Sequence, residues 1–337
     1  MNTLREQRGR LVQMATAKLL SKPLYIATKL GIADQLAEGP KSAQVLAGAS
    51  GVQADALYRV LRALASVGLF VEDERAEFAL TSMSQLLRDR PDSLRPLVLW
   101  MNDPRHDRLW EELLYCVETG RPAAERAYGM PFWQYLASQP DLEHSFSACM
   151  AANARAMHAV ALENYTFPAQ GIVVDVGGCF GELLSRVLSR HAGLTGVVFD
   201  RPEIIVEAQR RIESAGLRER CRVVAGDFLR EVPAADLHLL SHILHDFGDC
   251  DAKTLLDNCH RAARPGARIV LIELPIPARN EPSFAKLIDL EMLVLPGGRE
   301  RTLDEYRSLL LQSGYGGFQV TERSGAAVVM EATALAS

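Results

Sequence analysis

No apolar run in this 337-residue chain approaches the length of a membrane-spanning helix, which argues against a helical span. The N-terminus, MNTLREQRGRLVQMATAKLL, carries charge throughout and lacks the uninterrupted apolar core and small-residue cleavage end of a secretory signal. Basic residues are scattered without a polybasic block, and the formal net charge is -5, so bulk attraction to nucleic acid or to a membrane surface is not expected. The six cysteines, Cys116, Cys149, Cys179, Cys221, Cys250 and Cys259, form no CxxC pair and no zinc-type spacing. They read as reduced thiols of a cytoplasmic protein, with no disulfide and no metal.

What the chain does have differs between its halves. Residues 1 to about 165 hold helical patterns and no convincing succession of strands. In QMATAKLLSKPLYIATKLGIADQLAEG apolar residues recur at helical spacing, and Gly31 and Gly39 punctuate the ends. SAQVLAGASG and DALYRVLRALASVGLF then match two short helices joined by a turn, and VEDERAEFALT matches two short extended pieces around a charged bend. Helices followed by a small hairpin make a winged-helix outline. The helix YRVLRALASVG offers Arg59 and Arg62 amid apolar residues, whereas a recognition helix needs an exposed polar face. Packing or dimerisation is therefore expected of this domain, and a DNA-binding regulator is the weaker alternative.

Residues 170 to 337 alternate strand and helix patterns. The candidate strands are IVVDVG, TGVVFD, CRVVAGD, DLHLLSH, ARIVLIE, GFQVTE and AAVVMEA, with helical stretches such as PEIIVEAQRRIESAG and AKTLLDNCHRAAR between them. Near-continuous apolar strands fit a mainly parallel sheet covered on both faces. The last two are separated only by RSG and are expected to pair as an antiparallel hairpin.

IVVDVGGCFGELLSRVLSRH, residues 172 to 191, reads as strand, tight glycine turn and helix, and the following apolar run stops on Asp200. This is the outline of a nucleotide-type cofactor site. Gly177, Gly178 and Gly181 let the backbone turn sharply and let a ligand approach the helix N-terminus. Asp200 can accept hydrogen bonds from ribose hydroxyls, or it can cap the helix beginning at Pro202. Further landmarks follow at strand ends, AGDF at 225 to 228, LLSHILHDFGD at 239 to 249 and IELP at 272 to 275, and GGRERT at 297 to 302 adds another.

With the DVGG turn, FDRP, GDF, LHDF, D-L-x-M-L and GGRERT in this order, nearly the whole chain resembles the class I S-adenosylmethionine-dependent O-methyltransferases of the caffeic-acid type, including their bacterial natural-product branch. The resemblance implies an α/β fold, a Rossmann-like doubly wound, mainly parallel seven-stranded sheet with an antiparallel C-terminal hairpin. An all-helical N-terminal winged-helix dimerisation domain over 1–95 would precede it, with a helical linker and acceptor-pocket region over 96–168 and the cofactor-binding catalytic domain over 169–337. It implies a homodimer, S-adenosyl-L-methionine as cofactor with S-adenosyl-L-homocysteine as product, no metal, and a small aromatic acceptor.

Carried onto single residues, the resemblance puts Gly177 and Gly178 under the methionine part of the cofactor, Asp200 on the ribose, and Asp227 and Phe228 beside the adenine. Arg201, Gly226 and Ser241 join that set, and Phe247 stands where the family commonly has tryptophan. His245 matches the catalytic base, with Glu273 and Glu300 flanking and orienting it. Met150, Asn153, Met292 and Asp246 fall in the acceptor-binding set. Imidazole titrates near neutrality and suits the removal of a hydroxyl proton, and a carboxylate on its other nitrogen fixes the tautomer.

Residue by residue, plainer readings stand beside these. His242 is a second histidine close to His245. Glu300 can pair with Arg299 or Arg301 at the surface, Glu273 can be structural, and Met150 and Met292 can be core filler. The turn departs from the family's GGGxG at Cys179 and Phe180, where a side chain can crowd the turn and Phe180 adds bulk toward the cofactor or the N-terminal domain. Ser241 occupies the place of a cofactor-contacting lysine in many plant members. Oxygen methylation is the expected activity; nitrogen or carbon methylation, and non-methylating chemistry such as hydroxylation or pericyclic rearrangement, are the alternatives.

Overall fold

The computed structural model describes residues 3–90, 93–324 and 327–336, the side chains at 153, 155–157, 159–162, 164 and 321–324 excepted. The chain divides into two compact units, residues 1–108 with 144–152 and residues 109–143 with 153–337.

In the first unit, helices Ala43–Ser50 and Ala54–Ala65 are joined by a turn closed by Gly51 in the left-handed conformation. Leu57, Leu61 and Leu64 recur on one face of the second helix and are buried against Ile32, Leu46, Phe70 and Phe78. Arg59 and Arg62 lie on its exposed side. The extended pieces form β2 (Phe70–Glu72) and β3 (Glu77–Leu80), an antiparallel hairpin, and β1 (Lys41–Ser42) adds to the other edge of β3. The unit is thus not all-helical: it carries a three-stranded sheet in the order β1-β3-β2. A two-residue strand is too short to show any alternation, which hid β1 from a reading by periodicity. Helix Leu4–Ala15 buries none of its side chains, and Leu4, Leu11, Val12 and Met14 are exposed on it.

The second unit is built on seven strands: β4 (Gly171–Val176), β5 (Leu194–Asp200), β6 (Cys221–Ala225), β7 (Ala235–Ser241), β8 (Ala263–Glu273), β9 (Tyr315–Ser324) and β10 (Ala327–Ala334). Their order is β6-β5-β4-β7-β8-β10-β9, parallel from β6 to β8 and antiparallel at β10 and β9. The hairpin inferred from the short RSG spacing is there.

Alternate residues of each strand face opposite sides, so the apolar runs feed two cores. Val174, Val176, Val197, Phe199, Leu240 and Leu271 pack with helices Asp249–Arg261 and Leu303–Gln312 on one face. Val173, Val198, Leu237, Leu239, Val270 and Ile272 pack with helices Glu182–Arg190 and Pro202–Ser214 on the other. Strand order reverses between β4 and β7, and the crevice at the carboxyl ends of such strands is where open α/β sheets bind ligands. All five sequence landmarks lie at those ends or in the loop at 297 to 302.

Candidate active site

On the β4–β5–β6 side the site is shaped by missing side chains. Gly177 leaves β4 with φ +71, and a Cβ there would lie 2.3 Å from Ile243 Cδ1. Its N–H donates to Phe199 O at 2.8 Å, holding the turn against β5. A Cβ on Gly178 would fall 2.8 Å from the Asp175 carboxylate, and one on Gly226 would fall 2.4 Å from the Phe199 ring. Gly181, φ +73, starts helix Glu182–Arg190, and its N–H donates to Gly178 O at 2.8 Å. These glycines are required by their surroundings as well as by the turn.

Cys179 takes a left-handed backbone, φ 49, at about 1–2 kcal/mol for a residue with a Cβ. That conformation aims its N–H at Asp200 Oδ2, 2.8 Å away. Burial and the neighbouring Asp200 charge push the Cys179 thiol up to about 12, so it stays protonated at neutral pH. Phe180 turns to helix Pro202–Ser214, where the Arg211 guanidinium sits 4.4 Å from its ring centre.

Asp200 ends β5, buried, and accepts from the N–H groups of Cys179 and Arg201. Burial raises its pKa, and the two backbone bonds oppose the rise. The N-cap of helix Pro202–Ser214 is Arg201, whose side chain caps nothing, and Asp200 bonds the Arg201 N–H just ahead of the helix rather than an N–H within it. Arg201 itself reaches Glu143 at 3.8 Å and lies over the Trp133 ring. Gly226 donates its N–H to Asp200 O at 3.0 Å, bringing β6 to the same place. Asp227, half-exposed, accepts from Leu229 N–H and pairs with Arg230 at 3.4 Å. Phe228 meets Phe247 edge to face, ring centres 5.6 Å apart.

The β7–β8 side is assembled from charged groups. His245 sits on a 3-10 turn, Leu244–Asp246, and its Nδ1 is 2.7 Å from Glu300 Oε1. Its Nε2 faces Asp246 Oδ1 at 3.6 Å, beyond hydrogen-bond distance. Burial disfavours the imidazolium, but the Glu300 hydrogen bond and the Asp246, Glu300 and Glu273 charges outweigh it and raise His245 to about 10. Burial pushes Asp246 up to about 6.

Glu273, at the end of β8 and fully buried, accepts with Oε1 from Ile243 N–H at 3.3 Å and Leu244 N–H at 3.1 Å. Burial raises it to about 8, with the Glu300 and Asp246 charges assisting. It therefore grips the backbone leading to His245, while Glu300 alone of the two bonds to the ring.

Glu300 does not pair with its neighbouring arginines. Arg299 reaches Asp249 and Glu305, and its N–H donates to His245 O at 2.8 Å. Arg301 is fully buried and donates to Leu244 O and Phe247 O, both at 2.8 Å, and to Asp249 Oδ1. Gly298 permits this approach: a Cβ on it would lie 2.0 Å from His245 O. Arg301, Gly298 and Asp175 were missed as site builders. GGRERT and DVGG contained them, but only the fold shows that 298–301 wraps the 244–247 turn and that the Asp175 carboxylate lies under Gly178.

Ser241 Oγ is engaged with His158 Nε2 at 3.2 Å, and burial pushes His158 down to about 4. Met292 is buried in helix Ala285–Val294, and its carbonyl accepts from the N–H groups of Gly297 and Gly298. Met150 is half-buried in the first unit. The Asn153 side chain lies outside the described residues.

A glycine turn, an acidic strand end and a buried histidine–carboxylate pair at a topological switch point define a cofactor-dependent α/β enzyme. Residues 110–316 match the O-methyltransferase domain family and residues 12–90 match the O-methyltransferase dimerisation domain. The chain belongs to this methyltransferase family. It is 37% identical over 324 residues to the phenazine O-methyltransferase PhzM of Lysobacter antibioticus, covering 96% of this chain and 95% of that one. It is 35% identical over 311 residues to the phenazine-1-carboxylate N-methyltransferase of Pseudomonas aeruginosa, covering 92% and 91%. The solved structure of CalO1, a methyltransferase in calicheamicin biosynthesis in its S-adenosylhomocysteine-bound form, superposes with TM-score 0.85 at 33% identity, covering 100% of both chains.

The enzyme is an S-adenosylmethionine-dependent methyltransferase. The residues present fit that cofactor. Gly177, Gly178 and Gly226 stand where a Cβ would collide with Ile243, Asp175 and Phe199, so backbone without side chains lines the turn there. Asp200 retains acceptor capacity for a ribose diol beyond its two backbone bonds. Asp175 Oδ2 is buried without a hydrogen-bond partner among the described residues, directly beneath the turn.

Proposed function

We propose that the protein methylates an oxygen of a small aromatic, natural-product-like acceptor, with His245 as general base. The observation that carries this reading is the buried 2.7 Å contact between His245 Nδ1 and Glu300. In the neutral imidazole it keeps the ring proton on Nδ1, so that form can take a hydroxyl proton on Nε2, and the carboxylate favours the imidazolium that results. Bound, S-adenosylmethionine supplies a methyl group already activated on a sulfonium. The chain's own work is to deprotonate the acceptor and hold its oxygen in line.

Glu273 and Arg301 act through the backbone of the 244–247 turn as positioning residues. Asp246 and Met292 contact the acceptor, and Asp200 holds the ribose hydroxyls. Residues 1–95 form the dimerisation domain of a homodimer, supported by the matched family and by the exposed apolar side chains of helix Leu4–Ala15. Residues 96–168 and 169–337 are assigned to the acceptor-pocket region and the catalytic domain.

Transfer to nitrogen is the second reading, since one relative is named an N-methyltransferase. Oxygen is favoured because a hydroxyl must lose a proton, whereas an aromatic ring nitrogen already offers its lone pair and needs no buried base. The test is incubation with methyl-labelled cofactor and a panel of phenols, hydroxylated polycyclic aromatics and aza-aromatics. Label on a hydroxyl oxygen is expected. Tight cofactor binding with no label on any acceptor overturns methyl transfer, and label confined to ring nitrogen overturns the oxygen assignment.

A further inference from the structure

We propose that His242, His245 and Glu273 form a zinc-binding site, and that zinc bound there inhibits the enzyme by occupying the free ring nitrogen of His245. The inhibitory half of this inference rests on the base role proposed above; the binding half does not.

One donor atom from each of the three residues lies within 4.8 Å of the others. Two histidines and a glutamate make a known zinc ligand set, and imidazole with carboxylate suits zinc better than magnesium or calcium. With ligands at about 2.0–2.1 Å, the donors of a tetrahedral zinc stand about 3.4 Å apart, so side-chain rotations that close the set by up to about 1.4 Å suffice.

Each residue is anchored by one part and uncommitted at another. Glu273 is fixed through Oε1 by two backbone N–H groups, while Oε2 is buried and unpartnered among the described residues. His245 is fixed through Nδ1 by Glu300, the carboxylate–histidine arrangement that orients metal-binding imidazoles and directs Nε2 outward. His242 is fixed through its backbone, whose N–H donates to Ile272 O at 3.0 Å beside Glu273. Its Nε2 is buried and unpartnered among the described residues, and its ring meets His245 edge to face with centres 5.2 Å apart.

His242 also has φ 55, a left-handed backbone rare outside glycine, asparagine and aspartate. Strain of this kind collects at binding sites, where it aims a side chain. Here it turns the ring toward His245 and Glu273. A divalent cation would satisfy the unpartnered Glu273 Oε2 and His242 Nε2.

The experiment uses the full chain freed of metal by a chelator, titrated with Zn2+ and, for its visible ligand-field spectrum, with Co2+. One Zn2+ per chain is expected, with methyl transfer suppressed and restored by chelator, and with no suppression by Mg2+. His242→Asn should leave basal methylation unchanged, weaken inhibition by Zn2+ at least tenfold, and abolish the Co2+ spectrum of a nitrogen-ligated site. Equal inhibition of wild type and H242N, or a Co2+ spectrum unaltered by the substitution, overturns the site. If wild type methylates no acceptor, the functional reading fails and the Co2+ spectrum alone judges the metal site.

Discussion

The two sides of the crevice are built on opposite principles. Around β4, β5 and β6 the site consists of glycines whose side chains cannot be afforded and of backbone N–H groups trained on Asp200. Around β7 and β8 it consists of buried ionisable groups far apart in sequence, His245 with Glu300 and the 243–244 backbone with Glu273. The first side shapes a surface for a ligand, and the second sets where a proton resides. Substitutions should therefore separate cofactor affinity from turnover.

The largest effect is expected from His245→Ala. Turnover should fall about a hundredfold or more with cofactor affinity intact, as rate and equilibrium binding measurements would show. A parallel loss of cofactor affinity would erase the division between the two sides.

Next comes Glu300→Gln. Because Glu300 helps raise His245 to about 10, the imidazole holds its proton at neutral pH and the base form grows as pH rises. The pH–rate profile should ascend above the ordinary value of 6.5, and E300Q should move that limb down toward it while lowering turnover roughly tenfold at alkaline pH. Glu273→Gln keeps an oxygen for the two N–H groups and should move the limb less. A larger shift in E273Q than in E300Q would reverse the roles given to the two carboxylates.

On the other side, Asp200→Asn should weaken cofactor binding about tenfold, the scale of one charge-assisted hydrogen bond, with turnover at saturating cofactor unchanged. Titration calorimetry beside saturating kinetics checks it. The smallest effect is expected from Cys179→Gly, which relieves a φ of 49. Thermal unfolding should show a midpoint no lower than wild type, with cofactor affinity within about twofold, because relief of about 1 kcal/mol offsets the entropy of an added glycine. A marked loss of affinity would show that the Cys179 side chain itself shapes the site.

The contrast between the sides also explains what could be read in advance. The glycine turn and the Asp200 strand end lie within thirty residues, and local backbone demands leave local traces. The seven strands of the second unit were legible for the same reason, through their apolar runs. Glu273 and Glu300 were both named as acids flanking and orienting His245, with a structural role open for Glu273, since a glutamate's partner leaves no mark in its neighbours. Arg301 entered only as an alternative surface partner of Glu300, because a motif of charged residues looks solvated until the fold closes over it.

The sequence by itself determined the sheet architecture of the second unit, the family and its cofactor, because periodicity, turn chemistry and ordered motifs are properties of neighbouring residues. Only the tertiary structure decided that Glu300 bonds the ring and Glu273 the backbone, that Phe180 turns to Arg211, and that His242 joins His245 and Glu273. Those outcomes depend on distances between residues brought together by strand order and by a buried loop, which no stretch of sequence specifies alone.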